Sequence, residues 1–446
     1  MQLQTNIDAT FFKFKTSYIK KQNDKNTQPT QILSHRSGIA ARAQRALFCL
    51  SRMKNRQAYL FKQKPEYLQN PFPIDFDADS IVVIPCYNEP DMLQTLQSLL
   101  RCNRPNANTL VAIIINSSEN ADARAILQNR KTYDEVRQFS ETHSSSDFCF
   151  FPLLFENLPR KHAGVGLARK IGMDLAVEHF HRHQKERGII ISLDADCIVS
   201  ENYLTGIFEA FRYNEKLNAI VHNFHHRAEN NDPDIENAVR QYETHIRQFS
   251  KRLKLTGFPY YYHTIGSAFA VSADAYMRVG GMGRQQAGED FYFLQKVFAL
   301  GEIADLKNVF VYPLARFSDR VPFGTGPALQ KIIEEPAAVM KTYSGQSFKE
   351  LKRLFEIKDD FFRKDKEEIQ QQTSRLHPAL LQFIHDNNLW EDIADCNANC
   401  ATLSSYQKRF FHHFNAFKII KFLNFAHVNA FEKERVWEIN PDYELG

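Results

Sequence analysis

Ile189-Ile190-Ile191-Ser192-Leu193-Asp194-Ala195-Asp196 is the stretch on which the fold turns. Its short apolar run is rich in β-branched residues and preceded by Gly188, the signature of a strand buried in a parallel sheet. It ends in two carboxylates spaced i, i+2. Alternation along a strand puts both on one side, with Cα atoms roughly 6.5 Å apart. Open α/β sheets bind ligands at the carboxyl ends of their strands. Two hard oxygen donors there suit a divalent cation that also holds phosphate. A strand-ending turn uses the same residues, because Asp is a common turn former. The stretch alone leaves both readings open.

Working outward, strands and helices alternate. Upstream lie a buried strand at 81–84 leading into Pro85-Cys86-Tyr87-Asn88-Glu89-Pro90, a helix over 92–100, and a strand at 110–115 ending in Asn116-Ser117-Ser118-Glu119. A helix over 122–139, a strand at 148–155 and a helix over 164–183 then lead into the opening strand. Downstream come a helix over 203–211, a strand at 219–224, a long charged helix over 234–255 and a strand at 266–271. A helix at 273–279, the turn Gly280-Gly281-Met282-Gly283, Gly288-Glu289-Asp290 opening a helix over 291–300, and a strand at 309–314 complete the series. This alternation predicts an α/β fold, with a Rossmann-like, mostly parallel sheet flanked by helices.

The series occupies 80–326. Residues 1–79 read as a basic helical extension, with helix formers over 40–61 that stop at Pro65, Pro71 and Pro73. Residues 327–446 read as a helical region. It ends in an aromatic, cationic stretch in which Phe410, Phe414, Phe417, Ile420 and Leu423 share one helical face. Such a stripe suits an interfacial helix on a membrane, but packing against its own domain is the favoured reading.

With 446 residues, 43% hydrophobic and 24% charged, the chain is long enough for a large core. The net charge is only +4, yet residues 1–64 are rich in Lys and Arg against Asp8 and Asp24 alone. A solvated helix surface explains this best. Peripheral membrane contact stays open, and no nucleic-acid partner is expected. Seven scattered cysteines argue for reduced thiols. Cys396 and Cys400 are spaced for one helix face, but no further Cys or His pair completes a zinc pattern. The N-terminus shows no apolar core before a cleavage site, and no apolar run approaches ~18 residues. A cytoplasmic protein is expected, at most peripheral on the inner membrane face.

The order of motifs says more than any one of them. Val-Ile-Pro-Cys-Tyr-Asn-Glu, a second strand ending in a polar loop, Gly164-Val165-Gly166-Leu167-Ala168-Arg169-Lys170, Asp194-Ala195-Asp196, Gly266-Ser267-Ala268-Phe269 and Gly288-Glu289-Asp290 follow in sequence. This resembles the family 2 glycosyltransferases, of the GT-A nucleotide-diphospho-sugar fold, over about half the chain. The resemblance implies that Pro85, Tyr87 and Glu89 grip the nucleoside of a nucleotide-diphosphate sugar donor. It puts Asn116 where the family has an Asp, which weakens the case for uracil and keeps guanine and thymine open. Arg169 would neutralise the diphosphate or pair with an acid of the core, with Lys161 a lesser candidate.

By the same resemblance Asp194 touches the ribose or the metal, and Asp196 coordinates Mg²⁺ or Mn²⁺. Asp290, in an acidic pair with Glu289, is the catalytic base toward a hydroxyl acceptor on a glycan, lipid-linked sugar or small molecule. Helix N-terminal amides predict a lowered pKa for it. His263 is a further metal or acceptor contact, or a structural histidine. Arg316 and Arg320, in a loop with Gly324 and Gly326, resemble a cationic lid over the diphosphate.

The reading is a metal-dependent, inverting glycosyltransferase. Two rivals stand beside it. One is a catalytically silent glycan- or membrane-binding scaffold of the same fold. The other is a sugar-1-phosphate nucleotidyltransferase, which calls for a Gly-rich basic loop that Pro85–Pro90 does not supply.

Overall fold

β1 (Ser80–Cys86) is buried along its whole length and sets the layers. Val82 and Ile84 face one core, with Met92 and Leu96 of α1 (Met92–Leu100) and Leu204 and Ile207 of α4 (Tyr203–Tyr213). Ile81 and Val83 face the other, with Ala168 and Ile171 of α3 (Val165–Arg182) and Phe293 and Leu294 of α7 (Glu289–Phe298). A strand covered on both faces needs no polar alternation, which is why its sequence is a continuous apolar run. Each such side chain contributes roughly 1.5–3 kcal/mol when fully buried.

The computed structural model describes residues 54–63, 65–69, 71–285, 288–316, 325–334 and 339–436. The basic segment before residue 54 lies outside these, as do Asp319, Arg320 and Gly324. β1 pairs in parallel with β2 (Thr109–Ser118) and β4 (Ile189–Ser192), and β2 pairs in parallel with β3 (Phe148–Leu158). α2 (Ala123–His143) joins β2 to β3. Beyond β4 the sheet turns antiparallel at β8 (Phe269–Ser272), which pairs with β6 (Ala219–Phe224) on its other side. β6 runs parallel to the long β9 (Ile303–Ala315), which carries β5 (Cys197–Val199) antiparallel and β7 (Arg227–Ala228) parallel. The order is β3-β2-β1-β4-β8-β6-β9-β5. The expected α/β architecture is observed.

The strand expected over 189–196 is shorter than that reading. β4 ends at Ser192, and the chain turns so that the Cys197 N–H donates to the Asp194 carbonyl at 3.3 Å. Asp194 and Asp196 therefore sit in a turn between β4 and β5, not on one side of a continuing strand. The turn is needed because β5 leaves β4 to pair with β9.

α5 (Pro233–Leu255) starts on an Asp232 cap with Pro233 in its first turn, and α6 (Ala273–Arg278) follows β8 directly. The C-terminal region is helical as expected: α8 (Thr325–Glu334), α9 (Gly345–Ile357), α10 (Lys366–Thr373), α11 (Pro378–Asp386), α12 (Leu389–Asn399), α13 (Leu403–His413) and α14 (Ala416–Asn429). The sequence reading missed the short antiparallel pair β10 (Lys341–Thr342) and β11 (Glu434–Arg435). The aromatic stripe spans two helices, broken where Asn415 caps α14. Phe410, Phe414 and Leu423 are buried in one core with Leu253 and Phe258. That is the internal packing expected of the stripe, although Phe417 remains exposed. Among the described residues, no helix is long and apolar enough to cross a membrane.

Candidate active site

α3 is buried over most of its surface and carries three charges inward, so each must find a partner. Lys170 and Asp174 pair with each other at 2.8 Å, and Asp174 also accepts from Tyr59 and Tyr276 at 2.6 and 2.8 Å. Arg169 points the other way, to the ends of β4 and α7. Its Nη2 donates to Asp194 at 2.6 Å and its Nη1 to Glu289. Both Arg169 and Glu289 are only 2% exposed, so this is a buried pair whose separation would strand a charge.

Two glycines make the approach feasible. A Cβ on Gly266 would stand 2.9 Å from Arg169 Nη2 and 3.0 Å from Asp290 Oδ2. One on Gly166 would meet the Gln285 carbonyl at 2.2 Å and the Glu289 side chain at 3.1 Å. Gly266 also accepts a hydrogen bond from Ser192 Oγ at 2.7 Å, which ties β4 to the segment leading into β8. The Gly-x-Gly helix and the Gly-Ser-Ala-Phe motif are thus spacing devices around one guanidinium.

Asp290 lies beside Glu289 at the start of α7, where its carboxylate accepts from the Phe291 N–H at 2.7 Å. The lowered pKa expected from the helix terminus is not what the structure produces. Burial, then the Glu289 charge, push the Asp290 carboxyl up to about 6 against the pull of Arg169 and that N–H. Desolvation outweighs the helix end here.

Glu89 closes the other side of the site. It is 1% exposed and pairs with Arg316, whose Nη1 stands 3.2 Å from Glu89 Oε1 and whose Nη2 stands 3.9 Å from Asp196. Burial, then Asp194 and Glu89, push the Asp196 carboxyl up to about 6 against Arg316. Asp194 and Asp196 keep side chains 38% and 26% exposed, open to a ligand.

The structure therefore gathers Glu89, Arg169, Asp194, Asp196, Glu289, Asp290 and Arg316. Pro85 is the penultimate residue of β1, with Tyr87 partly exposed in the loop that follows. Asn116 has a stapling role: buried at the end of β2, its Nδ2 donates to the Cys86 carbonyl at 3.1 Å. Asn129 extends the staple, donating to the Asn116 carbonyl at 2.9 Å and accepting from the Asn88 N–H at 2.8 Å. Lys161 is exposed. Arg320 lies outside the described residues.

His263 has both ring nitrogens engaged, Nε2 with the His222 carbonyl at 3.0 Å and Nδ1 with the Ile265 N–H at 3.4 Å. Burial holds its pKa down at about 4, which keeps it neutral. The sequence reading missed Arg227. On β7 it donates to the Asp196 carbonyl at 3.4 Å and the Tyr312 carbonyl at 3.3 Å, bracing the turn that carries both aspartates. No motif surrounds Arg227, so only the fold reveals it.

Residues 81–280 match the family described as glycosyl transferase family 2. No curated protein matches the chain in sequence. Among solved structures, S. aureus TarS 1-349 in complex with UDP-GlcNAc is similar at 12% identity and a TM-score of 0.37, over 75% of this chain and 92% of that one. The mannosyltransferase PcManGT from Pyrobaculum calidifontis, in complex with GDP-Man and Mn²⁺, is similar at 14% identity and a TM-score of 0.35, over 87% and 96%. Likeness at that level bears on neither donor nor acceptor. The family match spans β1, α3, the aspartate turn and β8, which carry Glu89's loop, Arg169, Asp194 and Asp196, and stops before Glu289, Asp290 and Arg316; the chain is a glycosyltransferase carrying a family 2 domain over residues 81–280.

Proposed function

We propose that the chain transfers a sugar from a nucleotide-diphosphate donor to an acceptor hydroxyl, by direct displacement with inversion. One observation carries this reading. Five carboxylates, Glu89, Asp194, Asp196, Glu289 and Asp290, converge on two guanidiniums, Arg169 and Arg316. Excess negative charge at the ends of sheet strands suits a divalent cation and the phosphates it carries.

The residues fit Mg²⁺ or Mn²⁺. Asp194 and Asp196 offer partly exposed oxygen donors, and the upward push on Asp196 marks carboxylate charge that a cation would relieve. Such an ion would neutralise the charge that develops on the leaving diphosphate. Arg316 is placed to share that charge. Tyr87 offers a ring to stack on the base, and Glu89, at the edge of the same loop, an acceptor for base or ribose donors.

Asp290 takes the proton from the acceptor hydroxyl as its oxygen attacks the anomeric carbon, and the donor's C–O bond breaks with its electron pair leaving on the diphosphate. With a pKa of about 6, Asp290 is ionised at neutral pH yet basic enough to accept that proton. Arg169, with both arms in carboxylates, positions Asp194 and Glu289 and need not touch the donor.

Asp290→Asn tests the assignment. It should lower kcat by about 10²–10⁴ and leave donor binding in place, measured by release of nucleoside diphosphate beside a binding titration. Unchanged turnover would overturn the role of Asp290.

A further inference from the structure

The C-terminal helices hold a second group of metal-ligating side chains, remote in sequence from the donor site. Cys396 lies in the last turn of α12, Cys400 caps that helix, and His413 ends α13. Together they read Cys-x3-Cys-x12-His, the spacing of the first three ligands of a Cys₂His₂ zinc site. The sequence lacks the fourth ligand of that pattern. Asp395, the neighbour of Cys396, takes that place: ligand atoms of Asp395, Cys396 and His413 all lie within 4.8 Å of one another, while Cys400 stands outside that group.

The surroundings of His413 point the same way. Its Nε2 faces Asp395 Oδ2 at 2.8 Å, while its Nδ1 faces Asp392 Oδ1 at 3.0 Å. A metal-bound histidine has this arrangement, with one nitrogen at the ion and the other N–H held by a carboxylate behind it. Around them stand cations. Arg409 reaches Asp395 at 2.6 and 3.0 Å, and Lys418 reaches Asp392 at 2.6 Å. Two thiolates, a carboxylate and an imidazole would carry one negative charge more than a divalent ion cancels, and Arg409 is placed to balance it. Cys396 is fully buried, which shields a thiolate–metal bond from solvent.

We propose that Asp395, Cys396 and His413, with Cys400 as fourth donor, form a structural zinc site that staples α12 to α13. Soft sulfur donors select Zn²⁺ here, whereas the all-oxygen set at Asp194 and Asp196 suits Mg²⁺ or Mn²⁺. Zinc binding displaces thiol protons, so it releases acid and weakens at low pH.

The test uses the full chain, stripped with a chelator and titrated with Co²⁺. A thiolate-to-cobalt charge-transfer band should saturate at a single equivalent and be displaced by Zn²⁺. It should persist in Asp196→Asn, weaken in Cys396→Ser, vanish in the Cys396→Ser/Cys400→Ser double variant, and in Asp392→Asn accompany Zn²⁺ binding weakened about 10- to 100-fold, with the helical circular dichroism unchanged. The wild-type titration decides first, so a variant that fails to fold does not shield the proposal. Absence of the wild-type band overturns the site and leaves an Asp–His–Arg ion-pair network in its place. So does a band that survives Cys396→Ser/Cys400→Ser.

Discussion

Replacing Arg169 with methionine keeps much of the side chain's volume and removes its charge. The guanidinium is 2% exposed and lies between Asp194 and Glu289, with Asp290 adding a third carboxylate. Without it, buried Glu289 loses its counter-charge, and breaking a buried pair in this way costs roughly 3–5 kcal/mol. For a large unit, at about 2 °C per kcal/mol, Tm should fall by roughly 6–10 °C at pH 7.5.

The pH dependence has a definite sign. Asp290 already sits above its ordinary value because of burial and Glu289, and Arg169 holds it down. In the variant its folded pKa climbs further above the unfolded one. The folded state then binds protons more readily than the unfolded chain, and stability falls as pH rises through that interval. The gap between wild type and Arg169→Met should therefore be wider at pH 7.5 than at pH 5. Thermal unfolding at the two pH values in chelator-treated buffer measures it. A Tm within about 1 °C of wild type at pH 7.5, or a gap that does not change with pH, would refute the buried-pair account.

Two further outcomes follow from the same electrostatics. The base must be ionised, so kcat/KM should fall about tenfold per pH unit below a pH of about 6, through the raised pKa of Asp290; a profile flat down to pH 4.5 would remove Asp290 from the reaction. Glu243 behaves oppositely. Burial works against its charge, but the His226 side chain and N–H, then the His226 and His225 charges, hold it down at about 2. Its stabilisation is complete above the unfolded carboxylate range and is lost as pH falls from about 4.5 toward 2. Denaturant titration should show Glu243→Gln roughly 2–3 kcal/mol less stable at pH 7, with the deficit closing in acid.

The parts of the fold legible in the sequence are those governed by local periodicity. Ile81–Ile84 and Ile189–Ile191 read as buried strands because both faces are covered, and the helices between them show their apolar spacing. Where β4 stops could not be read, because the stop depends on β9, more than a hundred residues away, drawing β5 aside. The motif order put Arg169, Asp194, Glu289 and Asp290 in one site. It left open whether Arg169 would meet the diphosphate or an acid of the core, and the structure pairs it with carboxylates 25 and 120 positions along the chain. The pKa of Asp290 was misread for the same reason, since a helix terminus is visible locally and desolvation is not. His263 was ambiguous until its backbone partners were known.

The central claim is a nucleotide-diphosphate donor site built on the aspartate turn. Calorimetric titration of UDP, GDP, dTDP and CMP, with and without Mn²⁺, into wild type and Asp196→Asn tests it most directly. The account predicts that one nucleoside diphosphate binds far more tightly with Mn²⁺ than without, and that Asp196→Asn loses this dependence while retaining its fold. Binding that ignores the metal in both proteins, or no binding by any of the four, would contradict it.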